Sequence, residues 1–152
     1  MSARIISGVD ELKSLVGEHL GYSEYVTITQ EQVNLFADAT GDHQWIHVDP
    51  ERAAAGPFGT TIAHGFLTLS LVPLFVGQVY WVENVRMAVN YGANKVRFPS
   101  PVPVGSRLRG SVTLDSVTPS AMGFTVAVTT TVEIEGADKP ACVAQMLAVV
   151  VP

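Results

Sequence analysis

The chain reads AHGFLTLSLVPLFVGQ from Ala63 to Gln78, and this is its most apolar stretch. Apolar residues fall on nearly every side of a helix with 3.6 residues per turn, so we expect a long helix that the rest of the protein encloses. A wider window, residues 62–82, approaches the length of a membrane span. His64, Pro73 and Gln78 interrupt that window, and a buried helix of a soluble protein explains it better.

The second half of the chain has the alternating pattern of strands with one buried face. Alternation is clear over residues 107–115 and 124–135, and the last strand, 141–151, is apolar on both faces. The apolar phase of residues 85–98 reverses at Gly92, which predicts a β-bulge. Long consecutive strands favour an antiparallel meander. We therefore predict an α+β fold, an antiparallel β-sheet wrapped around the long central α-helix.

Helix boundaries are predicted between the N-terminus and this apolar stretch. Thr29 and Gln32 fit a capping box that begins a helix, and Gly41 ends it. Residues 42–49 are then expected to form a loop, and Pro50 opens a further helical turn.

Length, charge and cysteine content exclude several classes of protein. A chain of 152 residues is expected to form a single domain, residues 1–152. Nine basic and fourteen acidic residues give a net charge of −5, which argues against a nucleic-acid-binding surface. Cys142 is the only cysteine, so no internal disulfide can form. With no secretion signal visible, we expect a cytoplasmic protein that is not bound to a membrane.

The predicted loop contains the densest cluster of chemically active residues. Asp49 precedes Pro50 and fits a helix cap, and His43 is expected to face solvent. Asp42 and His47 can hold one water molecule between them, one group accepting a proton while the other donates. A solvated loop with capping aspartates is the alternative, and spacing alone leaves both open.

Aspartates and histidines are also metal ligands. The loop residues match no common zinc spacing, however, and the sequence has no second cluster of cysteines or histidines. We therefore expect neither a metal nor another cofactor.

A second cluster opens the apolar helix. Gly65 lies in its first turn, where backbone N–H groups have no intrahelical partner. A carbonyl oxygen placed there would meet an N–H and the positive end of the helix dipole, as in an oxyanion hole. Alternatively, Gly65 only permits close packing of the helix on the sheet, and His64 is a buried structural histidine.

Together these clusters resemble the hydratase 2 motif of the MaoC-like (R)-specific enoyl-CoA hydratases, which have the hotdog fold. The resemblance depends on FADATGDHQWIHVDP at residues 36–50, FG at 58–59 and IAHGF at 62–66. The segment NYGANKVRFP, residues 90–99, is similar to the short, single-hotdog actinobacterial type.

The resemblance implies a mechanism. Asp42 and His47 would hold the reacting water, and the N–H of Gly65 would meet the thioester oxygen. It also implies an acyl-CoA thioester substrate, a homodimer and no metal.

Substrate-binding positions are implied as well, at Ile62, Ala63 and His64. Many relatives have Asn-Pro where this chain has Gln44 and Trp45. We therefore expect Trp45 to reshape the mouth of the pocket and Gln44 to take over the role of that asparagine.

The expected activity is that of an (R)-specific enoyl-CoA hydratase, a hydro-lyase that reversibly converts trans-2-enoyl-CoA to (R)-3-hydroxyacyl-CoA. A hotdog acyl-CoA thioesterase would attack the carbonyl carbon and release free thiol. A non-catalytic acyl-CoA binding protein would leave the enoyl group unchanged. The intact pattern around Asp42 and His47 favours the hydratase.

Basic residues near the end of the bulged strand are candidates for binding the CoA phosphates. Lys95 and Arg97 share one face of that strand, and Arg107 and Arg109 share the polar face of the next. If the prolines at 99–103 form a tight turn, the two strands are neighbours and the four charges form one patch. An ordinary solvated face is the alternative.

Overall fold

The computed structural model describes residues 2–152. The helices within these residues are α1 (Val9–Ser14), α2 (Gln30–Thr40), α3 (Trp45–Val48), α4 (Pro50–Ala54), α5 (Gly65–Ser70) and α6 (Val72–Val79). The strands are β1 (Arg4–Ile6), β2 (His19–Tyr22), β3 (Val26–Thr27), β4 (Tyr80–Val82), β5 (Met87–Arg97), β6 (Arg107–Pro119), β7 (Phe124–Ile134) and β8 (Cys142–Val151).

The long strands form one antiparallel sheet in the order β2-β6-β7-β8-β5, and β3 also pairs with β6. Strands β6, β7 and β8 are neighbours in chain order, which confirms the predicted meander. One edge of the sheet is β5, and β2 and β3 together form the other. Strands β1 and β4 form a separate parallel pair that the sequence did not predict.

Strand β5 has two bulges against β8. The predicted bulge lies between Asn90 and Gly92, and a second lies between Ala93 and Lys95. Each adds one residue on the β5 side, which bends the strand. Beyond the second bulge, Val96 lies opposite the buried Ala144 and packs against the core.

The central helix is divided at Leu71, contrary to the single helix expected over residues 63–78. The segments α5 and α6 meet there, and Leu71 itself keeps right-handed helical dihedral angles. Pro73 explains the division, because it has no N–H to donate to the carbonyl group one turn earlier. No helix within residues 2–152 is both long enough and apolar enough to cross a membrane.

One side of the helix packs closely against the sheet. Phe75 is fully buried, and a Cβ atom at Gly110 of β6 would lie 2.6 Å from its Cβ atom, so this contact requires glycine. The prediction that the protein encloses the whole helix is wrong for the opposite side, where Phe66 and Leu74 are exposed. In a single chain the sheet covers the helix from one side only.

Candidate active site

The first part of the site is residues 41–49, here called the dyad segment. Gly41 ends α2 with a φ of 86°, and the side chain of Asp49 caps α4, both as predicted. The segment is not wholly a loop, because α3 forms one helical turn within it. A carboxylate oxygen of Asp42 accepts a hydrogen bond from the backbone N–H of Gln44 at 3.3 Å. This bond orients the exposed carboxylate.

The second part is residues 61–64, here called the buried segment. All four residues are buried, and the chain is held by backbone hydrogen bonds on both sides. Ile62 donates to the carbonyl of Ile46 at 3.0 Å, and Ala63 donates to that of Val102 at 2.8 Å. The small side chain of Ala63 lies in the core. The dyad segment therefore lies directly against a fixed length of backbone.

His47 is buried, and one of its two ring nitrogens makes a hydrogen bond to the backbone. Its Nδ1 lies 2.7 Å from the carbonyl oxygen of Ile62. A carbonyl oxygen can only accept, so Nδ1 carries the proton. In the neutral ring Nε2 is then the acceptor, which is the form required to take a proton from water.

His64 lies beside His47 and is 2% exposed. Its Nε2 donates to the backbone carbonyl of Asp42 at 2.9 Å. The imidazole rings of His47 and His64 are stacked, with their centroids 3.9 Å apart and an angle of 23° between their planes. The ring of Phe36 lies on His64 as well, with 4.9 Å between the two ring centroids. Within the described residues, Nδ1 of His64 has no hydrogen-bond partner.

Asp42, His47 and His64 converge on one point. A carboxylate oxygen of the aspartate and one ring nitrogen of each histidine all lie within 4.8 Å of one another. A metal ion bound by imidazole lies near the ring plane, about 2.0–2.1 Å from the nitrogen. Because the rings of His47 and His64 are stacked, an ion close to the plane of one ring lies outside the plane of the other. The geometry therefore suits proton transfer better than metal binding.

Gln30, the first residue of α2, connects the two segments and was not expected from the sequence. Its side-chain amide donates to the carbonyl of His47 at 2.7 Å and to Asn34 at 2.9 Å. Its amide oxygen accepts from the hydroxyl of Thr61. A glutamine after a helix cap carries no sequence signal for such a role, because the contact depends on how distant segments meet.

Gly65 begins α5, so its N–H has no acceptor within the helix. A Cβ atom at this position would lie 3.3 Å from the ring of Phe98. Phe98 also contacts Phe66 edge to face, with ring centroids 6.1 Å apart. Both predicted uses of this glycine are therefore compatible with the structure: its N–H has no acceptor within α5, and its missing side chain permits close packing against Phe98.

Trp45 begins α3, two residues before His47. The guanidinium of Arg52 lies 4.3 Å from the centre of its ring. A Cβ atom at Gly56 would lie 3.0 Å from the indole, so glycine makes room for it. Trp45 thus has contacts of its own beside the histidine pair.

His43 lies apart from the cluster, although it is next to Asp42 in sequence. It is exposed, and its Nε2 lies 3.0 Å from the carboxylate of Asp38 on α2. That hydrogen bond raises the pKa of His43 above its usual value. His43 therefore takes no part in the cluster.

The predicted patch of four basic residues is wrong. Strands β5 and β6 are separated by β7 and β8 in the sheet. Arg107 pairs with Glu135 at 2.7 Å and Arg109 with Glu133 at 2.9 Å. Lys95 and Arg97 remain together on β5, where Arg97 donates to the carbonyl of Val96. The prolines at 99–103 do not make β5 and β6 neighbours, because the chain crosses from one side of the sheet to the other between these two strands.

An antiparallel sheet around a central helix is the hotdog fold, and the fold confirms that prediction. The (R)-hydratase from A. caviae involved in PHA biosynthesis superposes with a TM-score of 0.72 at 23% identity, over 89% of this chain and 97% of that one. The fold thus defines a hotdog-fold protein, in which Asp42, His47 and His64 lie close together.

Sequence comparisons identify the family. Residues 11–136 match the MaoC-like domain. The 3-hydroxyacyl-thioester dehydratase Z of Mycobacterium tuberculosis is 62% identical over 145 residues, which cover 95% of this chain and 96% of that protein. Nodulation protein N of Rhizobium meliloti is 50% identical over 93% of this chain and 89% of its own. The chain belongs to the MaoC-like family of hydro-lyases, which confirms the resemblance and the enzyme class.

Proposed function

We propose that the protein is an (R)-specific enoyl-CoA hydratase that interconverts trans-2-enoyl-CoA and (R)-3-hydroxyacyl-CoA. The observation that carries this proposal is the approach of Asp42, His47 and His64 within 4.8 Å of one another. Gly65 follows His64 in the chain, and its N–H has no acceptor within α5. The mycobacterial relative is named a 3-hydroxyacyl-thioester dehydratase, and this name supports an acyl-thioester substrate.

Hydration requires a base for water and an acid for C2. The water oxygen forms a bond to C3 as one of its protons passes to the Asp42/His47 dyad, and the dyad delivers a proton to C2. The electron pair of the C2–C3 π bond forms the new C2–H bond, so one water is added in total. Nε2 of His47 has the free lone pair for this exchange, because Nδ1 is bonded to Ile62.

Negative charge develops on the thioester oxygen as water attacks. The N–H of Gly65 is assigned to this oxygen, because it has no acceptor within α5. An oxyanion donor of this kind typically contributes about 3 kcal/mol to the transition state. Gln44, Trp45, Ile62 and Ala63 stay the substrate-binding positions that the family resemblance implies.

One assay of the purified wild-type protein tests the proposal. Crotonyl-CoA and longer enoyl-CoAs should lose their conjugated enoyl absorbance, and no free thiol should appear. Release of thiol would instead identify a thioesterase. Tight binding of the ester with neither change would identify a non-catalytic acyl-CoA binding protein.

We also propose that two copies of the chain form a homodimer through the β5 edge. Met87, Val89 and Tyr91 are exposed on this strand, which pairs with β8 on one side and has no strand partner on the other within the described residues. Beside it, the uncovered face of α6 and strands β5 and β8 line a largely apolar groove of about 1000 Å³. Long unpaired edges and large apolar surfaces are usually covered in native proteins.

Sedimentation at micromolar concentration should therefore give twice the chain mass of 16.2 kDa. The double variant Val89→Lys, Tyr91→Lys places charge on the edge and should sediment as a monomer. Leu35→Lys is the matched control, because Leu35 is an exposed apolar residue on helix α2 and does not belong to the sheet. A monomeric wild type would overturn the dimer.

A further inference from the structure

His64 makes more contacts with the reactive groups than a space-filling histidine requires. Its Nε2 donates to the carbonyl of Asp42 at 2.9 Å, and its ring is stacked on His47 at 3.9 Å. It therefore touches both members of the dyad, one through the backbone and the other through the ring face. Neither contact uses a group that reacts in the proposed mechanism.

Each contact removes one degree of freedom. The hydrogen bond from His47 to Ile62 fixes where Nδ1 points but permits the ring to tilt about that bond. Stacking on His64 fixes the ring plane and so the direction of Nε2. At Asp42, the bond from His64 holds the carbonyl that follows the left-handed Gly41, and the carboxylate direction depends on that backbone.

We infer that His64 is a positioning residue that fixes the backbone of Asp42 and the ring plane of His47 together. The inference rests on the proposed function, since the positioned groups are the proposed dyad. Phe36 supports the His64 ring at 4.9 Å, and the buried segment supports its backbone. His64 thus couples the dyad segment to the fixed part of the molecule.

Two substitutions separate the two contacts. His64→Phe keeps a flat ring of similar size but loses the donor to Asp42. His64→Gln keeps an amide donor that reaches the position of Nε2 but loses the stacked ring. A positioning residue requires both contacts, so each variant should lower kcat by about 10- to 100-fold. KM should change less than about threefold, because substrate contacts remain.

The ¹⁵N chemical shifts of the His47 ring provide a readout that does not depend on activity. Wild type and His64→Phe should show narrow ring signals with the proton on Nδ1, whereas His64→Gln should keep that proton on Nδ1 but show broadened and displaced signals, because the unstacked ring tilts about its bond to Ile62. His43→Gln is the matched control, since His43 bonds Asp38 outside the cluster, and it should change neither kcat nor the shifts.

Full kcat in His64→Phe would overturn the inference, because the residue would then only fill space. A raised KM with unchanged kcat would also overturn it and would make His64 a substrate-binding residue. If wild type hydrates no enoyl-CoA, the proposed function fails, and the His47 shifts of the two variants still decide whether His64 positions that ring. Thermal melting of each variant identifies one that has not folded, and the other then carries the test.

Discussion

The dyad segment and the buried segment are built in opposite ways. Residues 41–46 are exposed or half-buried and lead into the short helix α3, whereas residues 61–64 are buried and lie outside any helix. Backbone hydrogen bonds to Ile46 and Val102 hold the buried segment in place. Asp42 and His47 thus come from the more exposed segment, whereas the buried segment fixes the direction of the His47 ring through the carbonyl of Ile62.

Each of the four residues of the Ile-Ala-His-Gly sequence, 62–65, makes a different contact. The carbonyl of Ile62 holds His47, the small side chain of Ala63 enters the core, and His64 reaches Asp42. Gly65 begins the helix with a free N–H. Two of the four contribute backbone groups, so a search for reactive side chains alone would overlook them.

Substitutions in the dyad segment should have the largest effect. Asp42→Asn and His47→Gln each remove a proton acceptor with little change in size, and each should lower kcat by about 100- to 10,000-fold. Steady-state hydration of crotonyl-CoA measures this, and circular dichroism checks the fold.

Asp49→Asn and His43→Gln are the matched controls within the same segment. Asparagine also caps helices, and His43 bonds only to Asp38 among its side-chain partners. Both controls should keep wild-type kcat. If Asp42→Asn or His47→Gln retains more than about a tenth of the activity, the dyad is wrong.

Substitution at Gly65, just past the buried segment, should have the next largest effect. Gly65→Ala adds a Cβ atom that displaces the ring of Phe98 but keeps the N–H. Gly65→Pro adds the same Cβ atom together with two further ring carbons and removes the N–H, at a first helical position that proline tolerates. His64, with φ −60° and ψ 138°, has the backbone that a residue before proline requires.

These two variants share the added Cβ atom and differ in the N–H and in the ring carbons that replace it in proline. If the N–H stabilises the thioester oxygen, kcat of Gly65→Pro should be about 100-fold below that of Gly65→Ala. Equal kcat values would show that this glycine serves only packing.

Substitutions outside both segments should affect binding only. Lys95→Ala and Arg97→Ala should raise KM for CoA esters about fivefold, the effect of roughly 1 kcal/mol, if these charges meet the phosphates. KM for pantetheine esters should not change. Arg107→Ala is the control, because Arg107 pairs with Glu135 near the opposite edge. An equal rise for both classes of ester would contradict a role at the phosphates.

Removal of metal should have no effect. The stacked rings of His47 and His64 do not present their nitrogens to one ion, so dialysis against EDTA should leave kcat unchanged. Stoichiometric metal in the purified protein, with activity lost on its removal, would reverse the assignment of acid–base chemistry.

Local features of the fold were predictable from the sequence, because a few adjacent residues determine them. Thr29, Gly41 and Asp49 occupy the cap positions that their types predict. The meander and the bulge near Gly92 also follow from alternation along one strand. The helix break at Leu71 could have been predicted, since Pro73 is visible in the sequence.

Features that depend on how distant segments meet were not predictable. The position of β5 beside β8 is determined by the whole sheet, so the proline turn was misleading. In the site, the spacing of Asp42 and His47 indicated a pair. The carbonyl contact of His64 and the amide contacts of Gln30 join residues 17 to 31 positions apart, and no periodicity reports them.

The two bulges of β5 also determine where the length of this strand can vary. The eleven residues of β5 lie opposite the nine residues 143–151 of β8. At each bulge, therefore, one β5 residue has no β8 residue directly opposite it in the register. Loss of Asn94 would leave every other β5 residue on its present face, whereas loss of a paired residue such as Val96 would turn its neighbours over. In an alignment of related chains, single-residue gaps within this strand should therefore fall at positions 91 and 94.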